Sequence, residues 1–436
     1  MLSQFKKHIE SSFSFLADAK LLVTVSGGID SVVLAHLCSK LGLNYAIAHC
    51  DFGLRNSESD EDEDFVISLA EDLNVEVFIE NFDTQDYADT HKLSIQMAAR
   101  ELRYNWFQEL ANHLKFDYIL TAHNADDDLE TFLINFTRGT GLNGLTGIPA
   151  INDNVVRPLL NFSRAHISVF AEEERIKWRE DSSNSTTKYL RNKLRHEVIP
   201  VLKEINPQLL DSLKNTLTNL QDTADIVEET LNAVAKRAIV SIDENGVSYK
   251  ISEFKKVNNP KAYLFEMFKS YGFKEWDDVL ALLDAQSGKQ VLSVTHRLVK
   301  HRNLLILSQI NNSNNKPIAI NKLNENINAP IGQLCFEYLD KIEATSKEII
   351  CVDKDKLKLP LMLRPWMYGD FFYPLGMRGK KKISKYLKDE KLSLIEKENV
   401  WVLTSQEDIV WILGRRADDR FKVSEKTTNI LKIYIS

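Results

Sequence analysis

The residues best suited to chemistry follow the apolar run Leu21–Val25 and form the segment Ser-Gly-Gly-Ile-Asp-Ser. Its two glycines permit close approach of the backbone to a ligand, and N–H groups at the start of a following helix attract anions. Its serines can donate to phosphate oxygens, whereas Asp30 would repel phosphate unless Mg²⁺ lay between them. The segment predicts a phosphate site that needs a divalent cation; the alternative is an ordinary turn whose Asp30 or Ser31 caps a helix. The residues assigned to this site are Ser26, Gly27, Gly28, Ile29, Asp30 and Ser31.

A second group of polar residues lies in Thr121–Thr131, which begins as a strand end and continues as a helix. Asp127 and Glu130 are three residues apart, so they share one helical face and could bind Mg²⁺ or a substrate ammonium group. Acids are also favourable at any helix N-terminus, which is the competing explanation for Asp126–Asp128.

Two further segments follow predicted elements. His49–Arg55 ends a strand, where a nucleotide base or ribose would lie, and a structural turn is the alternative. Arg138–Gly147 carries four glycines in ten residues, which is typical of a mobile or closely approached loop, although such loops are frequently only connectors.

The elements that must position these residues alternate between short β-branched runs and helical patterns from Lys20 to about Arg138. This alternation predicts an α/β fold, with a parallel, doubly wound sheet and helices on both faces. Ligands of such sheets bind beyond the carboxyl ends of the strands, so the polar segments should converge on one crevice. The predicted strands are Leu21–Val25, Asn44–His49, Val75–Glu80 and Asp117–Ala122, and the predicted helices are Ser31–Ser39, Asp60–Leu73, Ser94–Leu114 and Asp126–Arg138.

The length of 436 residues predicts two or three domains. From Ser163 onwards the pattern becomes helical, and Asn311–Lys316 is polar enough for a linker. We predict a catalytic, nucleotide-binding domain at 1–210, a mainly helical substrate-binding domain at 211–310 and a small α/β C-terminal domain at 317–436.

Composition narrows the class of protein. No apolar run approaches the roughly 18 residues of a membrane-spanning helix, and Met1–Glu10 lacks the apolar core of a secretory signal, so we expect a cytoplasmic protein. The four cysteines form no Cys-x-x-Cys pair and show no zinc-like spacing, which favours buried reduced thiols.

Charge is unevenly distributed along a chain whose net charge is −7. Arg364–Lys391 carries eight Lys/Arg and three Asp/Glu, a local charge of +5, and Lys188–Glu204 carries five basic residues and two acids. Because binding depends on the local field, both stretches could meet the phosphates of a nucleic acid. The alternative is that both are solvated surfaces.

The first segment, Ser26–Ser31, resembles the signature of the PP-loop, or N-type ATP pyrophosphatase, superfamily. It differs from the P-loop because no lysine holds the terminal phosphates. Members of that superfamily cleave ATP between the α and β phosphates and adenylate a carbonyl-type oxygen, so that a nucleophile can displace AMP. The resemblance implies that the loop holds the departing pyrophosphate.

The motifs in their order are similar to those of the tRNA(Ile)-lysidine synthetase family. One departure is His49–Gly53, where the family more often has a second histidine or an asparagine–histidine before the glycine. The matching segments are Ser26–Ser31, His49–Arg55, Ala99–Tyr104, His123–Thr131, Arg138–Gly147, Arg157–Leu160, Trp178–Asn184, Tyr189–Arg195 with Pro200, Gly369–Lys382 and Trp411–Arg415.

This resemblance implies a two-step reaction. ATP adenylates the carbonyl oxygen of the wobble cytidine in the isoleucine tRNA with a CAU anticodon, and the side-chain amine of free L-lysine then displaces AMP. The product, lysidine, changes codon reading from AUG to AUA. The implied cofactor is Mg²⁺, the implied partner is this tRNA, and a homodimer is left open.

The resemblance also implies catalytic roles in the first domain. Asp30 and Asp127 would coordinate the metal ion beside the pyrophosphate loop. Glu130 would orient or deprotonate the lysine substrate, whose amine must lose its proton before attack.

Basic residues would hold the RNA. Arg191 and Arg195, four residues apart on a predicted helix, would reach the anticodon phosphates or the α-phosphate of ATP, and solvated helix-face arginines are the alternative. Lys380, Lys381 and Lys382 would hold the tRNA body through phosphate contacts that position without reading sequence.

Three other functions compete with this one. A tRNA thiolase would use the same loop but often carries paired cysteines, and an amidotransferase-type ligase would need a glutaminase partner or domain. A non-catalytic RNA-binding protein would not need the acids at 30, 127 and 130. We therefore expect a ligase that uses ATP.

Overall fold

The computed structural model describes residues 1–54, 57–180, 190–310, 316–329 and 332–436. Several predicted segments lie partly outside the described residues: Arg55, residues 181–184 of the Trp178–Asn184 motif, Tyr189 of the Tyr189–Arg195 motif, and residues 311–315 of the predicted linker. The chain forms two compact units, Met1–Val227 and Glu228–Ser436. The three domain ranges expected from the sequence stay a prediction.

The first unit contains eleven labelled helices and six labelled strands among its described residues, and its last helix runs on into the second unit. The helices are α1 (Leu2–Ser12), α2 (Ile29–Lys40), α3 (Ser57–Leu73), α4 (Thr84–His91), α5 (Ile95–Leu114), α6 (Ala125–Arg138), α7 (Leu142–Leu145), α8 (Arg164–Glu173), α9 (Leu190–Lys193), α10 (Ile199–Ile205) and α11 (Leu209–Ala238). The strands are β1 (Leu21–Thr24), β2 (Tyr45–Asp51), β3 (Val77–Asn81), β4 (Tyr118–Leu120), β5 (Ile151–Asn152) and β6 (Val155–Val156).

The six strands form one sheet in the order β3-β2-β1-β4-β6-β5, and every pairing except β5 with β6 is parallel. The central strands are mostly apolar because both faces of the sheet are covered. Val23 packs in one core cluster with α2 residues such as Val32, whereas Leu22 packs in another with Phe107 of α5. The predicted doubly wound parallel sheet is confirmed.

The strand order places the functional loops. From β1 the chain builds outwards to β2 and β3 on one side, and then crosses to β4 on the other. Strand order therefore reverses between β1 and β4, and a crevice opens at their carboxyl ends. Ser26–Ser31 follows β1 and His123–Thr131 follows β4, so the two motifs meet there.

The second unit is richer in strands. Its helices are α12 (Ile251–Lys255), α13 (Pro260–Phe268), α14 (Trp276–Ala281), α15 (Ile383–Asp389) and α16 (Leu394–Glu398). Its strands are β7 (Ile239–Asp243), β8 (Gly246–Lys250), β9 (Gln290–Leu292), β10 (His296–His301), β11 (Leu304–Gln309), β12 (Ile318–Ile320), β13 (Ile327–Ala329), β14 (Gly332–Leu339), β15 (Ile349–Asp353), β16 (Leu361–Pro365), β17 (Phe371–Phe372), β18 (Lys381–Lys382), β19 (Trp401–Ser405), β20 (Asp408–Ile412), β21 (Arg416–Ala417) and β22 (Ile430–Ile435).

Three larger sheets organise the second unit. Helices α12 to α14 pack on an antiparallel sheet, β7-β8-β11-β10-β9, around buried side chains such as Phe254 and Phe268. The sheets β12-β16-β19-β20-β21 and β13-β14-β22-β15 enclose a common core around Trp411. This arrangement agrees with the fold predicted from sequence: an α/β domain, a helical region and a small C-terminal module, here rich in strands. Across the described ranges, no helix is long and apolar enough to span a membrane.

Candidate active site

The loop after β1 owes its shape to two glycines and a serine. Gly27 has a φ of +87°, which disfavours any residue with a Cβ, and Gly28 caps α2 with a φ of −72°. The Ser31 hydroxyl donates to the Gly28 carbonyl at 2.9 Å and accepts from the Ser26 N–H at 3.1 Å. Ser31 is buried and holds the loop closed, whereas the exposed Ser26 hydroxyl lies 3.3 Å from the Ser31 Oγ.

Asp30 lies in the first turn of α2 with its two oxygens in different surroundings. Oδ2 is paired with the guanidinium of Arg164, the first residue of α8. Oδ1 is buried and has no hydrogen-bond partner among the described residues. Burial raises the pKa of Asp30 to about 6; the Arg164 charge opposes this rise, and the Asp127 charge adds to it. The unpaired buried oxygen is an open position for a cation.

Asp127 is fixed by a capping box at the start of α6. The Asn124 side chain accepts from the Asp127 N–H at 3.2 Å, and Asp127 Oδ2 accepts from the Asn124 N–H at 3.0 Å. Its other oxygen, Oδ1, lies 3.3 Å from Arg195 and 3.6 Å from Arg191. One oxygen of this carboxylate therefore caps the helix, and the other faces the two arginines.

Glu130 is almost fully buried, with 1% of its side chain exposed. Arg191 Nε donates to Oε2 at 2.6 Å, and Arg195 donates to both oxygens at 2.5 and 3.1 Å. The Arg191 and Arg195 side chains are about two-fifths exposed, at 43% and 37%. The structure therefore joins Glu130, Arg191 and Arg195 in one ion-pair network with Asp127.

Comparisons with known proteins agree over the whole chain. Three family models match in order: a PP-loop domain at residues 1–202, a TilS substrate binding domain at 242–310 and a TilS substrate C-terminal domain at 361–434. The chain is 38% identical over 437 residues to the tRNA(Ile)-lysidine synthase of Parabacteroides distasonis, covering 99% of both chains. It belongs to the tRNA(Ile)-lysidine synthase family.

Two further proteins are similar to this chain. The tRNA(Ile)-lysidine synthase of Bacteroides thetaiotaomicron is 38% identical over 428 residues, covering 98% of this chain and 97% of the relative. A solved U34-tRNA thiolase, NcsA from Methanococcus maripaludis, is 18% identical with a TM-score of 0.43, covering 51% of this chain and 78% of that chain.

Several residues of this lysidine synthase family member escaped the sequence prediction because their partners are remote in sequence. Arg164 is separated from Asp30 by 134 positions. Arg179 donates its backbone N–H to the Gly27 carbonyl at 2.9 Å, and its guanidinium binds Glu61 and Asp62 of α3 at 2.8 Å. The many acidic residues at the start of α3 could have indicated that a basic residue such as Arg179 binds there.

Asp126 and Asp128 also have roles that helix capping does not describe. Asp126 pairs with Lys203 of α10, and Asp128 Oδ1 accepts from the Ile148 N–H at 2.6 Å. A Cβ on Gly147, whose φ is +77°, would lie 2.6 Å from Asp128 Oδ1. The end of the glycine-rich loop is therefore tied to α6 at a position that only glycine fits.

His123 is a neutral member of the site. Burial, together with the charges of Arg157, Arg191, Arg100 and Arg103, lowers its pKa to about 3. Its Nδ1 lies 3.0 Å from the Thr121 hydroxyl. The imidazole can therefore contribute hydrogen bonds at neutral pH without adding positive charge.

The three predicted RNA-binding lysines lie in the second unit. The Lys381 ammonium pairs with Asp389 at 2.8 Å, and Lys380 lies 5.2 Å from the centre of the Phe371 ring. Lys382 is exposed and pairs with Phe371 in the strand ladder. Of the three ammonium groups, that of Lys381 is therefore already neutralised in part by a carboxylate.

Proposed function

We propose that this chain catalyses ATP-dependent ligation of free L-lysine to the wobble cytidine of the CAU-anticodon isoleucine tRNA. The products are lysidine, AMP and pyrophosphate. The observation that carries this proposal is the meeting of the PP-loop, through its Asp30, with Asp127 at the strand-order switch, in a chain that matches lysidine synthases from end to end. A cytoplasmic location and the homodimer remain proposals.

The loop supports the first half of the reaction. Gly28 places no Cβ beside the first N–H groups of α2, and the dipole of this twelve-residue helix favours negative charge at this end. We assign Ser26–Ser31 to the departing pyrophosphate, with the Ser31 hydroxyl shaping the loop. The exposed Ser26 hydroxyl is then the better placed of the two to donate to a phosphate oxygen.

Asp30 and Asp127 are a suitable pair of ligands for a Mg²⁺ ion that is also bound by a nucleotide. Among the described residues no group of three or more His, Cys, Asp or Glu side chains could hold a metal ion alone. Mg²⁺ commonly takes only one or two carboxylates and completes its shell with phosphate oxygens and water. Asp30, through its unpaired Oδ1, and Asp127 would hold the ion, which neutralises phosphate charge when bound.

The arginine network supports a role beside the nucleotide for Arg191 and Arg195. Glu130 holds each guanidinium by its Nε while about two-fifths of each arginine side chain stays exposed. The exposed N–H groups could donate to the α-phosphate of ATP or to anticodon phosphates. We propose that Glu130 chiefly orients these arginines, because accepting a proton from lysine would require it to release one of them.

The thiolase alternative finds little support in the cysteines of the first unit. Burial raises the pKa of Cys38 and of Cys50 to about 12, so both are protonated at neutral pH. A thiol is a poor sulfur nucleophile compared with a thiolate. Neither residue is suited to carry sulfur to an activated base.

One assay separates the functions. We expect ATP–pyrophosphate exchange that requires the isoleucine tRNA, followed by transfer of labelled lysine to that tRNA. Exchange without lysine transfer would indicate another ligase of the superfamily. The absence of exchange would indicate an RNA-binding protein that has lost the reaction.

A further inference from the structure

The C-terminal part of the chain presents one aromatic side chain almost entirely to solvent. Tyr368 is 94% exposed, and its neighbour Met367 is 55% exposed. Such exposure contributes nothing to burial of apolar surface, which is the main force that stabilises a fold. The exposed Tyr368 ring therefore takes no part in stabilising the fold.

The turn that carries Tyr368 is held by an ion pair and by backbone hydrogen bonds. Arg364 donates two hydrogen bonds to the Asp370 carboxylate, at 2.8 and 3.0 Å, with only 15% and 13% of the two side chains exposed. Asp370 also accepts from the Met367 N–H at 2.7 Å. Gly369 has a φ of +106°, which permits the tight reversal. A largely buried ion pair thus fixes the backbone of a turn that exposes Tyr368 to solvent.

The surroundings of the turn are basic and aromatic. Phe371 is 42% exposed, and Lys380 lies over its ring at 5.2 Å. The stretch Arg364–Lys391 has a charge of +5 in a chain of net charge −7. Protein–protein interfaces are depleted in lysine, whereas surfaces for single-stranded nucleic acid combine lysine or arginine with exposed aromatic rings. The charge therefore favours RNA over a protein as the occupant.

We infer that the turn Trp366–Asp370, with Phe371 and Lys380 beside it, is a stacking site for an unpaired nucleotide of the RNA substrate, with Tyr368 as the platform. This inference rests on the proposed function, because it takes tRNA as the substrate. An unpaired base is required because the faces of a paired base are covered by its neighbours in the helix. Because the backbone of the turn is already held by the Arg364–Asp370 pair, only the Tyr368 side chain has to be ordered when a base stacks on it.

The test is the affinity of the full-length protein for transcribed isoleucine tRNA. Tyr368→Ala should weaken binding by about 5- to 100-fold, whereas Tyr368→Phe and Tyr368→Trp should bind like the original because they keep a π face. Tyr368→Leu should bind as weakly as the alanine variant. The salt dependence should be unchanged in all four, since no charge is altered. Tyr338→Ala is the matched control, because Tyr338 is also exposed, at 58%, but lies on β14.

Unaltered affinity of Tyr368→Ala would overturn the inference and leave the turn to a protein partner. Full affinity of Tyr368→Leu would overturn it as well, because an apolar contact would then suffice. Because the side chain is 94% exposed, all variants should fold, and an unchanged melting temperature verifies this. Failure of the original protein in tRNA-dependent pyrophosphate exchange would instead refute the proposed function, so the two failures are distinguishable.

Discussion

Glu130 is the residue whose surroundings most constrain the chemistry of the site. Both of its oxygens already accept hydrogen bonds from Arg191 or Arg195, at 2.5 to 3.1 Å. A general base must have an oxygen free to reach the proton it removes. Glu130 would have to break an ion pair first, whereas an orienting role needs no rearrangement.

Glu130→Gln tests these two roles. If Glu130 orients the arginines, pyrophosphate exchange and lysine transfer should fall together. The free energy of unfolding should also drop by about 1–3 kcal/mol, because two arginine groups lose a charged partner. Exchange rates, labelled-lysine transfer and thermal melting measure the three effects. Loss of lysine transfer with normal exchange would instead identify Glu130 as the base, and Glu172→Gln, at an exposed position on α8, is the control.

The buried His123 should make the free energy of unfolding decrease as the pH falls below about 6.5. Its pKa is lowered to about 3 in the folded chain, so between this value and about 6.5 only the unfolded chain takes up the proton. Protonation of the unfolded state lowers stability as pH falls through 6.5. His123→Gln lacks this effect, so it should gain stability relative to the original protein below pH 6.5, while the difference stays constant above it.

Thermal melting of both proteins between pH 8 and about 5 measures this difference. His113→Gln, an exposed substitution at the end of α5, reports the background. A difference that does not change with pH would show that His123 titrates in the folded protein.

At the scale of elements, the two glycines of the loop between β1 and α2 should be needed for different reasons: Gly27 for the backbone conformation and Gly28 for ligand binding. Gly27 has a φ of +87°, whereas Gly28 has a φ of −72° and its added Cβ would meet only Ser26 Oγ, at 3.6 Å. Gly27→Ala should therefore lower the free energy of unfolding by about 1–2 kcal/mol. Gly28→Ala should keep its stability but raise the KM for ATP, because a methyl group would stand beside the phosphate-binding N–H groups.

Thermal melting and the ATP dependence of exchange test this pair of variants side by side. Equal stability of the two would contradict the conformational argument. Normal exchange by Gly28→Ala would contradict the placement of pyrophosphate on this loop.

The elements of the first sheet were predictable because their sequence patterns are local. The run Leu21–Val25 is apolar at every position except Thr24, as expected for a strand covered on both faces, and β1 occupies Leu21–Thr24. The helix expected to carry Arg191 and Arg195 is instead α9 followed by the π-helical segment Leu194–Val198. A π-helical turn leaves no signature in apolar spacing, and it often marks functional sites.

The site itself was only half predictable, because its ion pairs join remote segments. Asp30 and Asp127 could be named from their positions after strands, which the fold brings together. Arg164 could not, since nothing local distinguishes it from other helix-face arginines before the chain folds. The hydrogen bond from the Ile148 N–H to Asp128 could not be predicted either, because every residue except proline has a backbone N–H and its partner leaves no mark in the sequence.

At the scale of the molecule, the second unit joins its middle sheet to its C-terminal part. Val299 and Ile306 of the middle sheet pack against Ile395 of α16, and Arg297 pairs with Glu398 at 2.7 Å. The basic stretch is therefore attached to a larger body, so RNA that bound there, as we propose, would meet a fixed surface. Its local charge of +5 matters more for this contact than the net charge of −7, since salt screens distant charges within about 10 Å.

This surface makes a quantitative prediction for RNA binding. Each lysine that neutralises a phosphate adds about 0.7–0.9 to the slope of log affinity against log salt concentration. Lys380→Ala/Lys382→Ala should therefore weaken tRNA binding and reduce the slope by about 1.4–1.8. Lys381→Ala should change the slope less than either single substitution, because the Lys381 ammonium is already paired with Asp389 at 2.8 Å.

Salt titrations of tRNA affinity measure these slopes, and Lys341→Ala/Lys347→Ala is the matched double control at exposed positions of the same unit. If the control reduced the slope as much as Lys380→Ala/Lys382→Ala, the effect would come from total charge rather than from this surface. If Lys381→Ala had the largest single effect, RNA would have to displace Asp389. The ion pair seen here would then be a contact that opens on binding.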